Sequence, residues 1–394
     1  MGANEDSKER LARLVIERVR AEGGTEPRLD TEAFAVRYDG DSVLHLDALF
    51  RDTFADDTPG TSELAREAHV AHFVSTTMSS MDWPVDWNQA LPRLRPVLKP
   101  STYTLGSPSA LLLSRRVFPL IDELVVVDMP AHRTVVSLAT TEKWGIDPAT
   151  VFAAARSNLA ALTQHADPTK GRAVQRLVDD RPHDTRYFTS WLLDPGWLAS
   201  HRGRFGCPPV AFAPDVDTIV VVPSDDPALL GEHFRRAEER YVHTSRALSP
   251  QAYTVDDHDT VVTFDQIHPE DVGGARARCI HIAGEYAAQG SWLTRQYELD
   301  GIRSEVGKVT VKATPFGPRT VTIWADNTDA TMPLTDLVAF CQEGAQPFYV
   351  QFADVEALTS LTPVSDLDPA RFRVRTWPPS TIMEQLRARA VPVE

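Results

Sequence analysis

One unit recurs along this chain, a strand, a short turn, a second strand and a helix, and it limits the choice of fold more than any other feature. The clearest copy spans 124–162. Leu124–Val127 and Thr134–Leu138 are apolar, β-branched runs around Asp128, Met129, Pro130 and Ala131, as a hairpin of buried strands requires. A helix should follow, with Asp147 as N-cap, Pro148 at its first position, and Ile146 and Val151 spaced as a hydrophobic staple. The second copy repeats this grammar at 209–241. Val210–Pro214 and Thr218–Val222 surround Asp215, Val216 and Asp217, and Asp226 then caps a helix starting on Pro227. Leu230, Phe234, Ala237 and Tyr241 share one face of that helix.

Weaker copies bracket these two. Ala33–Tyr38 and Ser42–Leu46 flank Asp39-Gly40, a strong hairpin dipeptide, and a helix is expected from about Asp47. Val309–Ala313 and Thr320–Trp324 flank Pro315–Pro318, with a helical stretch expected at Leu334–Cys341. The pattern predicts an α+β fold of repeated strand-turn-strand-helix units, forming mixed or antiparallel sheets flanked by helices. At 394 residues the chain exceeds one simple core, so two to three domains are expected. Breaks in the pattern place them at 1–99 (N-terminal, α+β), 100–260 (α+β) and 261–394 (a long helix plus a strand-rich part). The chain opens on an amphipathic helix carrying Leu11, Leu14, Val15 and Val19, and another is expected over about 61–78. The long helix should run from about Pro269 to Glu298, with Val272, Ala275, Cys279, Ile282 and Tyr286 as its apolar seam. Its glycines, Gly273, Gly274, Gly284 and Gly290, each weaken it by about 1 kcal/mol. Strands are expected at Phe348–Phe352 and Phe372–Trp377, and a last helix at Ile382–Ala388.

Charge and motif narrow the functions. A net charge of −15 without a basic run disfavours a nucleic-acid partner. No apolar run reaches membrane-spanning length, and Met1–Arg10 lacks the apolar core of a signal peptide, so no membrane role and a cytoplasmic location are expected. Cys207, Cys279 and Cys341 are too scattered for a disulfide framework. The chain holds no Gly-x-Gly-x-x-Gly, P-loop, Cys-x-x-Cys, His-Glu-x-x-His or Gly-x-Ser-x-Gly, so no cofactor is assigned.

The remaining candidates are weighed one by one. His69 and His72 could share a metal, yet no carboxylate stands at a matching step, and no metal site is assigned. Asp256, Asp257, His258 and Asp259 lack the glycine and distal glutamate of a calcium loop and read as a solvated turn. Asp225 and Asp226 sit where a strand passes into a helix, a place that attracts ligands, although helix capping is favoured. His183 and Arg186 belong to a mixed-charge loop that could bind a carboxylate or pair internally. Trp83 and Trp87 lie four apart in the connector Met81–Trp87, as core plugs or as an anchor for a partner. Cys279 falls on the helix seam and reads as a small core residue.

The stretches LVVVDMPAHRTVVSLATTEKWGIDPATVFAAARSNLAAL, TSWLL and DTIVVVPSDDPALL together resemble the YtpQ-like bacterial family, whose function is not established. The resemblance covers about residues 100–260 and rests on element order: a hairpin, a Trp-bearing link into a helix ending in Asn-Leu, a Leu-Leu segment, and an apolar strand ending in Pro-Ser. The family carries Arg-Asp after Pro-Ser where this chain has Asp225-Asp226, so a site built on that arginine does not transfer. The resemblance implies a soluble bacterial protein.

These readings favour a non-catalytic protein-binding or adaptor module acting on a protein partner. Catalysis is the less favoured reading: an enzyme of unfamiliar type, using Asp225 or Asp226 with His183 in a pocket between the middle and C-terminal domains.

Overall fold

The computed structural model describes residues 3–31, 33–38, 42–46, 49–50, 67–71, 73–74, 86–105, 112–129, 133–163, 174–179, 186–326, 328–365 and 367–393. The fold is α+β. Two compact units are present, residues 1–90 with 128–134 and residues 91–127 with 135–394.

In the first unit, α1 (Ala3–Ala21) buries Leu11, Val15 and Val19 completely. It stops where Gly23 turns left-handed, at φ +93°, and the Gly24 N–H closes back on the Val19 carbonyl at 2.9 Å. A three-stranded antiparallel sheet follows, β1 (Arg28–Asp30), β2 (Ala35–Tyr38) and β3 (Ser42–His45), in that order. Val36, Leu44 and Leu46 meet the α1 stripe, and helical residues around 67–74 add Val70 and Val74 to this core. The Asp39-Gly40 turn, the helix expected from Asp47 and much of the one expected over 61–78 lie outside the described residues. The unit's last helix, α2, is the short Trp87–Ala90.

The second unit begins with β4 (Leu94–Pro100), β5 (Ser114–Phe118) and β6 (Ile121–Asp128). β6 lies between the other two, antiparallel to both, as its unbroken apolar run predicts. The return strand of this first module differs from expectation. β7 (Arg133–Val135) is three residues long, and Leu138 opens a helix, α3 (Leu138–Trp144), in place of ending a strand. Ser137 is the reason: its hydroxyl accepts the Thr140 N–H at 3.1 Å and caps α3. α4 (Pro148–Thr163) then starts as predicted, with the Ala149 N–H on the Asp147 carboxylate at 2.9 Å.

After β8 (Gln175–Val178) comes α5 (Pro195–Phe205), N-capped by Asp194. The second module matches its expectation closely. β9 (Pro209–Asp215) and β10 (Thr218–Pro223) form the hairpin, and α6 (Pro227–His243) carries Pro227 at its start. β11 (Ala252–Val255) and β12 (Val261–Thr263) complete a five-stranded antiparallel sheet, ordered β12-β11-β9-β10-β8. The two modules therefore occupy separate sheets. They share one core, in which Ile121 and Phe118 pack with Ala211, Ile219 and Tyr253. Its edge is a row of rings, Phe188, Trp191, Trp197 and His201, at centroid spacings of 4.9, 5.3 and 5.2 Å. Position 99 falls inside β4, in register with Asp122, and position 260 falls in the β11–β12 turn, so neither coincides with a gap between ladders. In that turn the Asp256 carboxylate accepts the His258 and Thr260 N–H groups, both at 2.8 Å, which holds its pKa down.

α7 (Phe264–Ile267) leads into α8 (Val272–Leu299), N-capped by Asp271. Ala275, Cys279 and Tyr286 of the expected seam of α8 are buried, but Val272 is exposed, and the polar His281, Glu285 and Gln289 share the buried face. Each has a partner. His281 Nδ1 meets Gln251 Oε1 at 2.8 Å, and Glu285 accepts from the Ser101 hydroxyl and Thr102 N–H, both at 3.0 Å. Gln289 accepts from Arg371, whose guanidinium is wholly buried and also donates to the carbonyls of Gly307, Thr331 and Tyr286. Two of the glycines have a positive role. A methyl group at Gly284 would strike the Tyr241 hydroxyl, and one at Gly273 would meet Phe234 Cδ2 at 2.9 Å, so both let α6 side chains seat on α8.

The C-terminal part holds β13 (Glu305–Val306), β14 (Thr310–Lys312), β15 (Arg319–Ala325), β16 (Ala330–Pro333), β17 (Leu337–Cys341) and β18 (Phe348–Gln351). α9 (Phe352–Leu358), β19 (Thr362–Pro363), β20 (Arg371–Val374) and α10 (Ser380–Ala388) follow. Two mixed sheets result, β13-β16-β20-β19 and β14-β15-β17-β18. The helix expected at Leu334–Cys341 is instead β17, parallel to β15 with Leu337 opposite Val321. The crossover between them passes through β16 in the neighbouring sheet. Among the described residues no helix is long and apolar enough to cross a membrane.

Candidate binding groove

The face of the five-stranded sheet under α6 carries a groove of about 550 Å³. Its floor comes from the hairpin: Phe212 on β9, with Thr218 and Val220 on β10. One wall is α6, which places Leu229, His233, Arg236 and Arg240 at intervals of 4, 3 and 4, one face of a helix. The opposite rim is β8 with the residue before it, through Arg176 and Val174. Strand alternation explains the choice. Gln175 turns the other way and bonds His201 Nε2 at 2.6 Å and Arg204 Nη1 at 3.1 Å, while Leu177 packs on the core.

Three arginines and two carboxylates line the groove. Arg240 Nε bonds the Asp215 carboxylate at 2.6 Å, and that carboxylate is fully buried. Arg236 pairs with Glu232 one turn back, at 2.5 Å. Arg176 makes no hydrogen bond or ion pair among the described residues, so it is the surplus charge. His233 is 8% exposed and stacks near Phe212 at 5.8 Å. Desolvation lowers its pKa, the Arg236 charge lowers it further, and Glu232 opposes both, so the ring is neutral at pH 7. Its nitrogens have no hydrogen-bond partner among the described residues. Such a groove offers an apolar floor, one uncommitted cation and a neutral imidazole that can donate one bond and accept another.

The residues singled out from sequence stand elsewhere. Asp226 is the N-cap of α6, its Oδ1 accepting the Leu229 N–H at 3.0 Å, and Asp225 is exposed beside it. They therefore mark the helix that walls the groove without lining it. Arg186 contributes its main chain: its N–H bonds Asp179 at 2.7 Å and its carbonyl accepts the Trp191 indole N–H at 2.9 Å. Trp87 is half-buried at the start of α2. His183, Trp83 and His72 lie outside the described residues. Among the described residues no group of three or more His, Cys, Asp or Glu could hold a metal ion. Burial raises the Cys279 thiol to about 11, against a nearby Arg278 that pulls it down, so that sulfur is a poor nucleophile. Sequence reading missed the groove because its residues come from three separated segments with no local signature. The one available signal was the polar face of α6, where Glu232, Arg236 and Arg240 recur at helical spacing. The chain matches no protein-family model, no curated protein and no solved structure.

Proposed function

We propose that this chain is a non-catalytic protein-binding or adaptor module of the cytoplasm, and that the groove between α6 and β8 receives a segment of its protein partner. The carrying observation is the pairing of an unpaired cation, Arg176, with the apolar floor of Phe212 and Val220. Acidic residues elsewhere in the lining are already neutralised by their own arginines, so the surplus charge faces outward. Kinship with the YtpQ-like family is part of the same proposal, supported by the order of hairpin, helix, Leu-Leu turn and strand over about 100–260.

A photo-crosslinking residue at Val174 tests the docking site. The expected result is a discrete protein adduct that disappears with Arg176→Glu and with Leu229→Glu, both at unchanged thermal midpoint. An adduct indifferent to both changes removes the groove from the proposal.

A further inference from the structure

We infer that the partner's segment binds as an extended strand added to the open edge of β8, with a carboxylate of that strand on Arg176. The inference rests on the groove being the docking site and names what docks there. β8 ends the five-stranded sheet, and among the described residues 175–178 pair only with β10, Val220 standing opposite Arg176. Among the described residues the outward main-chain groups of β8 make no hydrogen bond. An unpaired edge of this kind is a template for another strand; β8 carries no proline, and its one charge, Arg176, repels a basic guest while leaving an acidic one free to pair. The far edge of the sheet differs: β12 is three residues long and runs straight into α7.

Side-chain geometry then fixes the chemistry of the guest. An added strand lies about 4.8 Å beyond β8, with alternate residues on the groove face. Those residues meet the groove rim at Val174 and Arg176, with the floor strands β10 and β9 beyond their reach, so the guest should alternate and should place an acidic residue opposite Arg176. Main-chain bonds then give affinity while the groove-facing side chains give specificity. The acidic whole, at −15, does not attract such a guest from a distance. Recognition is local, as a single exposed pair over a short ladder would be.

The test uses the full chain and a fluorescein-labelled decapeptide alternating valine with glutamate, read by anisotropy. The inference expects saturable binding that weakens about tenfold with Arg176→Glu and recovers when lysine replaces the peptide's glutamates. It also expects about tenfold weakening when alternate peptide nitrogens are methylated, and slowed hydrogen exchange at Gln175–Val178 on binding. Equal affinity for the methylated peptide overturns strand addition, while a surviving Arg176 effect leaves the groove standing. No binding at millimolar peptide, with the Val174 adduct intact, also overturns strand addition alone. Indifference to Arg176→Glu in both assays removes groove and strand together. Sedimentation showing copies of the chain paired through β8, abolished by Leu177→Pro, would replace the guest by a second copy and overturn the inference.

Discussion

Glu123 shows how a single buried residue can be more tolerant of loss than its exposed partners. Its carboxylate is 0% exposed and takes Arg115 Nε and Arg156 Nη2, both at 2.7 Å, from arginines that are about two-fifths exposed. Replacing the carboxylate leaves two arginines that water can reach; replacing the arginines strands a buried anion. Glu123→Gln should therefore cost about 1–3 kcal/mol, and Arg115→Ala with Arg156→Ala about 3–5 kcal/mol, measured by urea unfolding. The reverse order would refute this reading. His281 yields a pH prediction. Desolvation lowers its pKa from 6.5 to about 3, with the nearby Leu248 main chain opposing and Arg116 acting in the same direction as burial. The folded state thus holds the neutral ring, and the unfolded chain binds the extra proton. Stability from this residue is complete above pH 6.5 and is lost as pH falls from there toward 3. Between about pH 6 and about pH 4 the unfolding free energy should fall by about 1.4 kcal/mol per pH unit more than in His281→Asn. Equal slopes would place that proton uptake elsewhere.

At the scale of elements, α6 and α8 are matched by the absence of side chains. Tyr241 and Phe234 seat over Gly284 and Gly273, so glycines that weaken α8 in isolation permit its close packing. Gly284→Ala should destabilise by about 1–3 kcal/mol through overpacking, despite a gain of about 1 kcal/mol in helix propensity. Adding Tyr241→Phe, which removes the clashing hydroxyl, should restore most of the loss. Failure of that rescue would mean the cost lies in α8 itself. Helix starts were legible where the chemistry is local, as at Asp147-Pro148 and Asp226-Pro227. Leu337–Cys341 was not, because a short, fully apolar run reads equally as strand or buried helix, and its pairing with β15 is set by residues far away. The polar stripe of α8 was equally hidden, since the partners that make burial of Glu285 and Gln289 tolerable come from Ser101 and Arg371.

At the scale of the molecule, the first and second modules of the larger unit share a core though not a sheet. Ile121 lies at that junction, fully buried. Ile121→Ala should cost about 2–5 kcal/mol and should speed hydrogen exchange in β6 and β10 together. Faster exchange in β6 alone would show two independently opening layers. The sequence repeat placed both modules in one domain and foretold most of their strands, but not that they would join through a core and not a sheet, because the contacts that join the sheets are between side chains remote in the chain. The groove was illegible for the same reason: Arg176, Phe212 and Arg236 become neighbours only after β8 has joined the hairpin.

The row of rings that runs into α5 has an optical consequence. Trp191 and Trp197 stand edge to face at 5.3 Å and an interplanar angle of 79°, both nearly inaccessible to water. Two indoles this close, held in one chiral arrangement, couple their transition dipoles and give a paired band in the circular dichroism spectrum that either Trp→Phe change abolishes. His201 lies 5.2 Å from Trp197 and holds Gln175 of β8 through its other nitrogen. The intensity of that band, and the emission of Trp197, therefore report the position of β8 without any added dye.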